Sequence, residues 1–367
     1  MAGNKVYTAI GMMSGTSMDG IDVALVRTDG KDMTELLDSR LFPYEEATRN
    51  AVRGVLGSRH ATPETAQAER LLTDAHIQAV KQFGHKADII GFHGQTIMHD
   101  PSQKFTWQIG DSARLAMETG MDVIGDMRQA DVKAGGQGAP LLPLCHRSFA
   151  ADVEKPIAIL NLGGVANITW LGRERTDILA FDTGPANALI DDLVNEATDE
   201  PYDHDGKLAQ AGTPDVAMVA RWLSHPYFSK PAPKSLDRDE WDVAEVRNLK
   251  LEDAVATLAL FTVESVIKSL DLLPDTPRAL YVAGGGRHNN YMMGSLNAAL
   301  DYTVEPVEAL GWNGDMLEAQ GFAYLAVRSL LGLALTLPTT TGIKEPMTGG
   351  KLYKAQPDHK NKIIVGI

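Results

Sequence analysis

Gly11-Met12-Met13-Ser14-Gly15-Thr16-Ser17-Met18-Asp19-Gly20-Ile21-Asp22 lies between two apolar runs, Val6 to Ile10 and Ile21 to Val26. Both runs read as strands, so glycines, small hydroxyls and acids crowd the turn of a hairpin. Glycine lets backbone approach a ligand closely, and successive N–H groups in such a turn form an anion-binding concavity. This is the chemistry of a phosphate grip on a hairpin. A tight hairpin with solvated acids accounts for the same residues.

The pattern begins again about 150 residues later. Ile157 to Leu160 is a short apolar strand, Asn161-Leu162-Gly163-Gly164-Val165-Ala166-Asn167 a glycine turn, and Ile168 to Leu171 a returning strand. Two halves that each begin with a hairpin suggest a duplicated α/β fold with a cleft between lobes. Two unrelated hairpins in one sheet-rich chain remain the alternative. Elsewhere strand-like and helix-like segments alternate, as an α/β architecture requires. Thr62-Pro63-Glu64 opens a helix that Gly84 ends. Ala87 to Phe92 reads as a strand running into a loop at His93-Gly94-Gln95-Thr96. Helical spacing recurs over Asp215–Leu223, Glu252–Leu270 and Met316–Leu335, and the tail from Pro338 reads as irregular.

The chain has 367 residues, so two domains are expected. A net charge of −14 argues against nucleic acid and against anionic membranes. A polyanionic ligand must then be held by backbone amides, a divalent metal and a few placed cations. Cys145 is the single cysteine, which excludes an intrachain disulfide and fits a reducing compartment. Neither a secretory signal nor a membrane-spanning run is legible, so a cytoplasmic protein is expected.

Four further groups carry chemistry. Leu179 to Phe181 is an apolar run ending in Asp182-Thr183-Gly184-Pro185, with helical spacing after it. Asp182 there is either an Asx-turn residue or a general base accepting a proton from a hydroxyl or water. Ala279 to Ala283 ends in Gly284-Gly285-Gly286, where backbone lies open to a flat base or ribose. His93, Gln95 and Thr96, with Arg128 and Asp131, are hydrogen-bonding groups on loops after strands and suit a polyhydroxyl ligand; a structural role for His93 competes. Asp315 to Glu318 has the spacing of a capping box, which on its own makes Glu318 a helix-start residue.

Three fragments also imitate a subtilisin-like serine hydrolase: Ser17 after Gly15-Thr16, His93 and Asp182. The order Ser, His, Asp is not that family's, and Ser17 precedes a strand-like run instead of opening a helix. An aspartic-protease reading of Asp182-Thr183-Gly184 fails for want of a second such triplet, since Asp111-Ser112-Ala113 lacks the glycine. A non-catalytic nucleotide switch of the actin kind is the third class.

Taken together, these blocks resemble the anhydro-N-acetylmuramic acid kinase family. The opening Gly11–Asp22 segment is the most specific. Gly91–Ile97, Gly135–Leu141, Asn161–Asn167, Phe181–Asn187, Gly284–Asn289 and Glu318–Ala323 follow in the family's order. The resemblance implies a two-lobed actin-like ATPase (ribonuclease H-like) fold, duplicated, with an active-site cleft between lobes. Residues 1–150 would form the N-terminal lobe and 151–339 the C-terminal lobe, with the 340–367 tail available to pack back on the first. It implies ATP-dependent opening of a 1,6-anhydro sugar and phosphorylation of O6, giving N-acetylmuramic acid 6-phosphate for cell-wall recycling. Gly15, Thr16, Ser17, Met18, Asp19, Gly20, Ile21 and Asp22 would surround the ATP phosphates. Asp182 would be the base, and Gly284, Gly285 and Gly286 would lie against the adenosine. His93, Gln95, Thr96, Arg128 and Glu318 would contact the sugar. Magnesium is implied with unassigned ligands, and a homodimer is expected. Ala186, Phe92 and Gly321 depart from the usual pattern. Phe92 and Ala186 leave the sugar pocket's shape open, so levoglucosan is the alternative substrate.

Overall fold

The opening hairpin pairs over its whole length. β1 (Tyr7–Met13) runs antiparallel to β2 (Gly20–Thr28), from Tyr7 opposite Thr28 to Met13 opposite Asp22. The computed structural model describes residues 5–15, 18–236 and 241–356. The chain divides into two compact units. The first holds the residues up to Gly135, Glu318–Leu335 and the segment from Pro346; the second holds Gly136–Leu317 and Thr336–Glu345.

In the first unit β3 (Thr34–Pro43) continues the meander. β4 (Ile89–Phe92) and, beyond it, β7 (Val123–Gly125) add in parallel on the other side of β1. Between them β5 (Gln95–Asp100) and β6 (Phe105–Ile109) form a separate antiparallel hairpin. β4 is buried at all four positions, as a parallel strand covered on both faces must be. One cover is the helix Pro63–Phe83. Thr62 accepts from the amide of Thr65, Thr65 accepts from the amide of Thr62, and Gly84 closes the helix at φ 76°. Leu72, Ile77 and Val80 of this helix pack with Ile10, Met12, Ile90 and Phe92.

The second unit repeats the order. β8 (Ile157–Leu162), β9 (Val165–Leu171) and β10 (Ile178–Pro185) form an antiparallel meander. β11 (Ala279–Ala283) and β12 (Thr303–Pro306) then add in parallel beside β8. Each unit therefore carries the sequence 3-2-1-4-5, the ribonuclease H-like order, and the fold is a duplicated α/β fold. Phe181, Tyr227, Phe261, Trp222 and Trp241 centre the second core.

The chain then returns to the first unit. The helix Leu317–Leu330 lies against the second face of its sheet. A Cβ on Gly11 would sit 1.8 Å from the Ala319 carbonyl oxygen, and one on Gly91 2.1 Å from that of Phe322. Both positions must be glycine for helix backbone to lie on strand backbone. β13 (Lys351–Tyr353) then pairs antiparallel with β7.

Several expectations need correction. A simple division at residue 150 fails, because the helix Pro143–Phe149 packs on the second unit: His146 Nδ1 lies 3.0 Å from Thr169 Oγ1, and Arg147 donates to the carbonyls of Gly172 and Asp177. A second lobe running unbroken to 339 fails because Glu318–Leu335 belongs to the first unit. The helix from Leu317 ends at Leu330, short of Leu335. Gln95 and Thr96 are strand residues, not loop, since β5 pairs with β6. The tail is not uniformly irregular: Pro338–Thr341 is a short helix, and β13 follows. Among the described residues no helix is long and apolar enough to cross a membrane.

Candidate functional site

In the first unit, the turn between β1 and β2 is held from outside. The Tyr44 amide donates to the Asp19 carbonyl at 2.9 Å. Arg49 Nε donates to the Met18 carbonyl at 3.0 Å, and the Met18 amide to that of Gly15 at 3.2 Å. A buried relay runs beneath. Tyr44 donates its hydroxyl to Ser14 Oγ at 2.7 Å, Ser14 donates to Gln95 Oε1 at 2.5 Å, and Gln95 Nε2 donates to the Gly15 carbonyl at 3.3 Å. Burial raises the Tyr44 phenol above its ordinary value, so it remains a donor. Met18 and Ile21 are buried in the core, which leaves only their backbone to a ligand. Asp19 is exposed and Asp22 half-buried. Thr16 and Ser17 lie outside the described residues. Gly20 opens β2.

His93 follows β4. Its Nε2 accepts from Arg128 Nε at 3.0 Å, and its ring lies 4.7 Å from that of Phe322. Burial first, then the Arg128 charge, pushes its pKa well below the usual histidine value. The imidazole is therefore neutral, with its proton on Nδ1, a buried atom without a hydrogen-bond partner among the described residues. Arg128 precedes the helix Gln129–Ala134. Burial lowers its pKa to about 10, opposed by Glu318 and Asp131, so it stays charged at neutral pH. Burial raises the Glu318 carboxyl, opposed by Arg128. His93, Arg128 and Glu318 thus form one electrostatic group.

Thr96 stands apart. Strand alternation turns it away from Gln95, and it accepts from Gln108 Nε2 at 3.1 Å. Phe92 does not shape this group: it points into the core, 4.9 Å edge-on to His76. The expected capping box at Glu318 does not form around Asp315, whose carboxylate is bound by Arg287 and which lies two residues before the helix.

In the second unit, Asp182 lies within β10 at a register shift, not beyond the strand's end. Its amide donates to the Lys234 carbonyl at 2.9 Å, and its own carbonyl accepts from the Tyr227 hydroxyl at 2.5 Å. Its Oδ2 accepts from the Leu236 amide at 2.8 Å. That partner is 54 positions away, so this is no Asx-turn. The loop supplying it is tied down by Ser235 Oγ donating to Gln137 Oε1 at 2.6 Å. Burial pushes the Asp182 pKa up to about 7, against the pull of the Leu236 amide.

The glycine loop lies at the end of β11. Gly284 adopts φ 76°, and a Cβ there would sit 2.5 Å from Asn161 Oδ1. Buried Arg287 clamps the loop: Nη1 donates to the Gly284 carbonyl at 3.0 Å, Nε to Glu308 at 2.9 Å and Nη2 to Asp315 at 2.8 Å. Asn187, past β10, donates its amide to the Gly163 carbonyl at 2.9 Å and its side chain to that of Leu162 at 2.8 Å. Three of the sequence blocks therefore meet here.

Tyr44, Arg49 and Tyr227 escaped sequence reading, and Arg287, inside the Gly284–Asn289 block, has no role legible there. The first three sit in no motif, and the partners of all four are fixed by strand register and long-range packing. Among the described residues no group of three or more His, Cys, Asp or Glu side chains is placed to hold a metal ion. The arrangement around His93 also disfavours a serine-hydrolase triad. Its histidine needs Nε2 as acceptor from the serine, and in His93 that nitrogen accepts from Arg128.

The family model for anhydro-N-acetylmuramic acid kinase matches residues 7–355. The chain is 49% identical over 359 residues to the anhydro-N-acetylmuramic acid kinase of Rhizorhabdus wittichii, covering 94% of this chain and 98% of that protein. It is 48% identical over 353 residues to the protein of the same name from Rhodospirillum rubrum, covering 95% and 94%.

Proposed function

The chain belongs to the anhydro-N-acetylmuramic acid kinase family of phosphotransferases, and from that premise we propose that it opens the 1,6-anhydro ring of anhydro-N-acetylmuramic acid with water and transfers the γ-phosphoryl group of ATP to the freed O6. The observation that carries this reading is the Asp182 carboxylate. One oxygen is pinned by the Leu236 amide, and burial tunes the group to about 7, where a general base works well at neutral pH.

Asp182 removes a proton from water as its oxygen bonds to the anomeric carbon. The bond from that carbon to O6 breaks, and its electron pair stays on O6. O6 then attacks the γ-phosphorus and ADP leaves, so sugar, water and ATP become sugar 6-phosphate, ADP and a proton. The backbone of the Gly15–Asp22 turn surrounds the phosphates, and Gly284–Gly286 lie against the adenosine. His93 offers its Nδ1 proton, and Arg128, Gln95 and Glu318 supply further polar contacts to the sugar. Magnesium bound with ATP would neutralise phosphate charge, a role that calls for few protein carboxylates. Catalysis then rests on alignment and charge neutralisation. We place the reaction in the cytoplasm, in the reuse of cell-wall sugars.

The test is ATP consumption with anhydro-N-acetylmuramic acid, levoglucosan and unbridged N-acetylmuramic acid, with the phosphate position read by phosphorus NMR. Phosphorylation at O6 of the first sugar is expected. Turnover of levoglucosan alone would replace the substrate, and turnover of none would end the reading.

A further inference from the structure

A cavity of about 380 Å³ opens on the first unit, lined among others by Arg59, Lys104, Phe105, Trp107, Gln129 and Lys133. Three cations converge there in a chain of net charge −14. Arg59 is paired with Asp100, whereas Lys104 and Lys133 have no ion pair among the described residues. Lys104 also sits in the left-handed region at φ 54°, a conformation that glycine or asparagine takes with less strain. A long cationic side chain is thus held at the cavity at some backbone cost.

The cavity and the sugar group share elements. Gln129 and Lys133 are i and i+4 on one face of the helix Gln129–Ala134. The residue before that helix is Arg128, bonded to His93. Phe105 and Trp107 share one face of β6, and Gln108, next along the strand, donates to Thr96.

Resting on the function above, we propose that this cavity receives the carboxylate-bearing arm of the sugar, with Lys104 and Lys133 as its charge partners and Phe105 and Trp107 as apolar walls. The structure then holds a specificity determinant: an anhydro sugar bearing a carboxylate gains these contacts, and a neutral one does not. Because the cavity is open to solvent, each lysine contributes modestly, and salt weakens both.

The experiment compares wild type with the double variants Lys104→Ala/Lys133→Ala and Lys104→Glu/Lys133→Glu. Calorimetric Kd values are read for anhydro-N-acetylmuramic acid and for neutral 1,6-anhydro-N-acetylglucosamine, alongside kcat/KM for the acid and KM for ATP. The alanine pair is expected to weaken the acid about tenfold, and the glutamate pair more. That loss should shrink at high salt, while the neutral sugar and ATP shift by less than about twofold. Equal losses on both sugars, or no loss on the acid, would overturn the assignment. Wild-type enzyme that phosphorylates neither sugar would sink the proposed function and this inference together. Phosphorylation of the acid with lysine-independent affinity would sink this inference alone.

Discussion

Arg128 donates its Nε hydrogen to His93 Nε2 at 3.0 Å. That contact fixes the imidazole tautomer, because a nitrogen that accepts from a guanidinium carries no proton. It also means that a charged group and a neutral one act as a unit, with Glu318 balancing the charge.

Arg128→Lys keeps the charge but loses the planar donor. Sugar affinity should fall about tenfold or more, because a hydrogen bond to a charged group is worth roughly 1.5–3 kcal/mol. ATP affinity should hold. Calorimetry with each ligand separately checks this, and equal losses for both ligands would count against it.

Asp182→Asn should bind ATP and fold, yet lose turnover by at least about a hundredfold. In wild type, kcat should rise with pH and level off above about 7.

The same shift predicts a stability signature. Folding raises the Asp182 pKa from an unfolded value near 4 to about 7. Between these values the native state holds a proton that the unfolded chain has released. The stabilisation is complete below about pH 4 and lost as pH rises through about 7. Asp182→Asn should therefore be more stable than wild type at pH 8, by at most about 4 kcal/mol, and equal to it near pH 4. Urea unfolding at both pH values measures the difference; a gap that does not grow with pH would contradict the assignment.

Arg287→Leu removes the clamp on the glycine loop. Glu308 and Asp315 are both exposed and can turn to water, so the fold should survive with a loss on the order of 1–3 kcal/mol. Nucleotide affinity should fall while sugar affinity does not, as fluorescence titration with a labelled nucleotide would record.

Gly91→Ala forces a methyl into the Phe322 carbonyl. The helix Leu317–Leu330 must move, and destabilisation of about 3 kcal/mol or more is expected in thermal unfolding. Mutation of exposed Gly120, whose added Cβ would meet nothing within 4 Å, costs only the strain of its φ of 67° and serves as the comparison.

Local chemistry made much of this legible. The first hairpin, the capped helix at Thr62 and the repeat of strand, glycine turn and strand at Ile157 all rest on neighbours within a few residues. So does the strand that ends in Asp182-Thr183-Gly184-Pro185. What escaped depends on distance along the chain. Nothing near Tyr44 indicates that β2–β3 register will carry its hydroxyl to Ser14. Nothing near Arg287 names Glu308 and Asp315. The helix at Glu318 reads as a local element, and its membership of the first unit follows from distant partners: two glycines some 230 and 310 residues earlier in the chain, and the carbonyls of Gly30 and Lys31, which accept from Arg328 and Tyr324.

Those two glycines bear on how the molecule is made. A ribosome releases the strands carrying Gly11 and Gly91 long before it reaches Phe322, so a bare backbone furrow waits through synthesis of Gly136–Leu317, most of the second unit. That stretch is made in the meantime as one piece, while the earlier unit stays unfinished until the helix Leu317–Leu330 emerges. A message cut short before codon 318 would leave the first unit open and chaperone-dependent, and would also deprive the second of its late piece Thr336–Glu345.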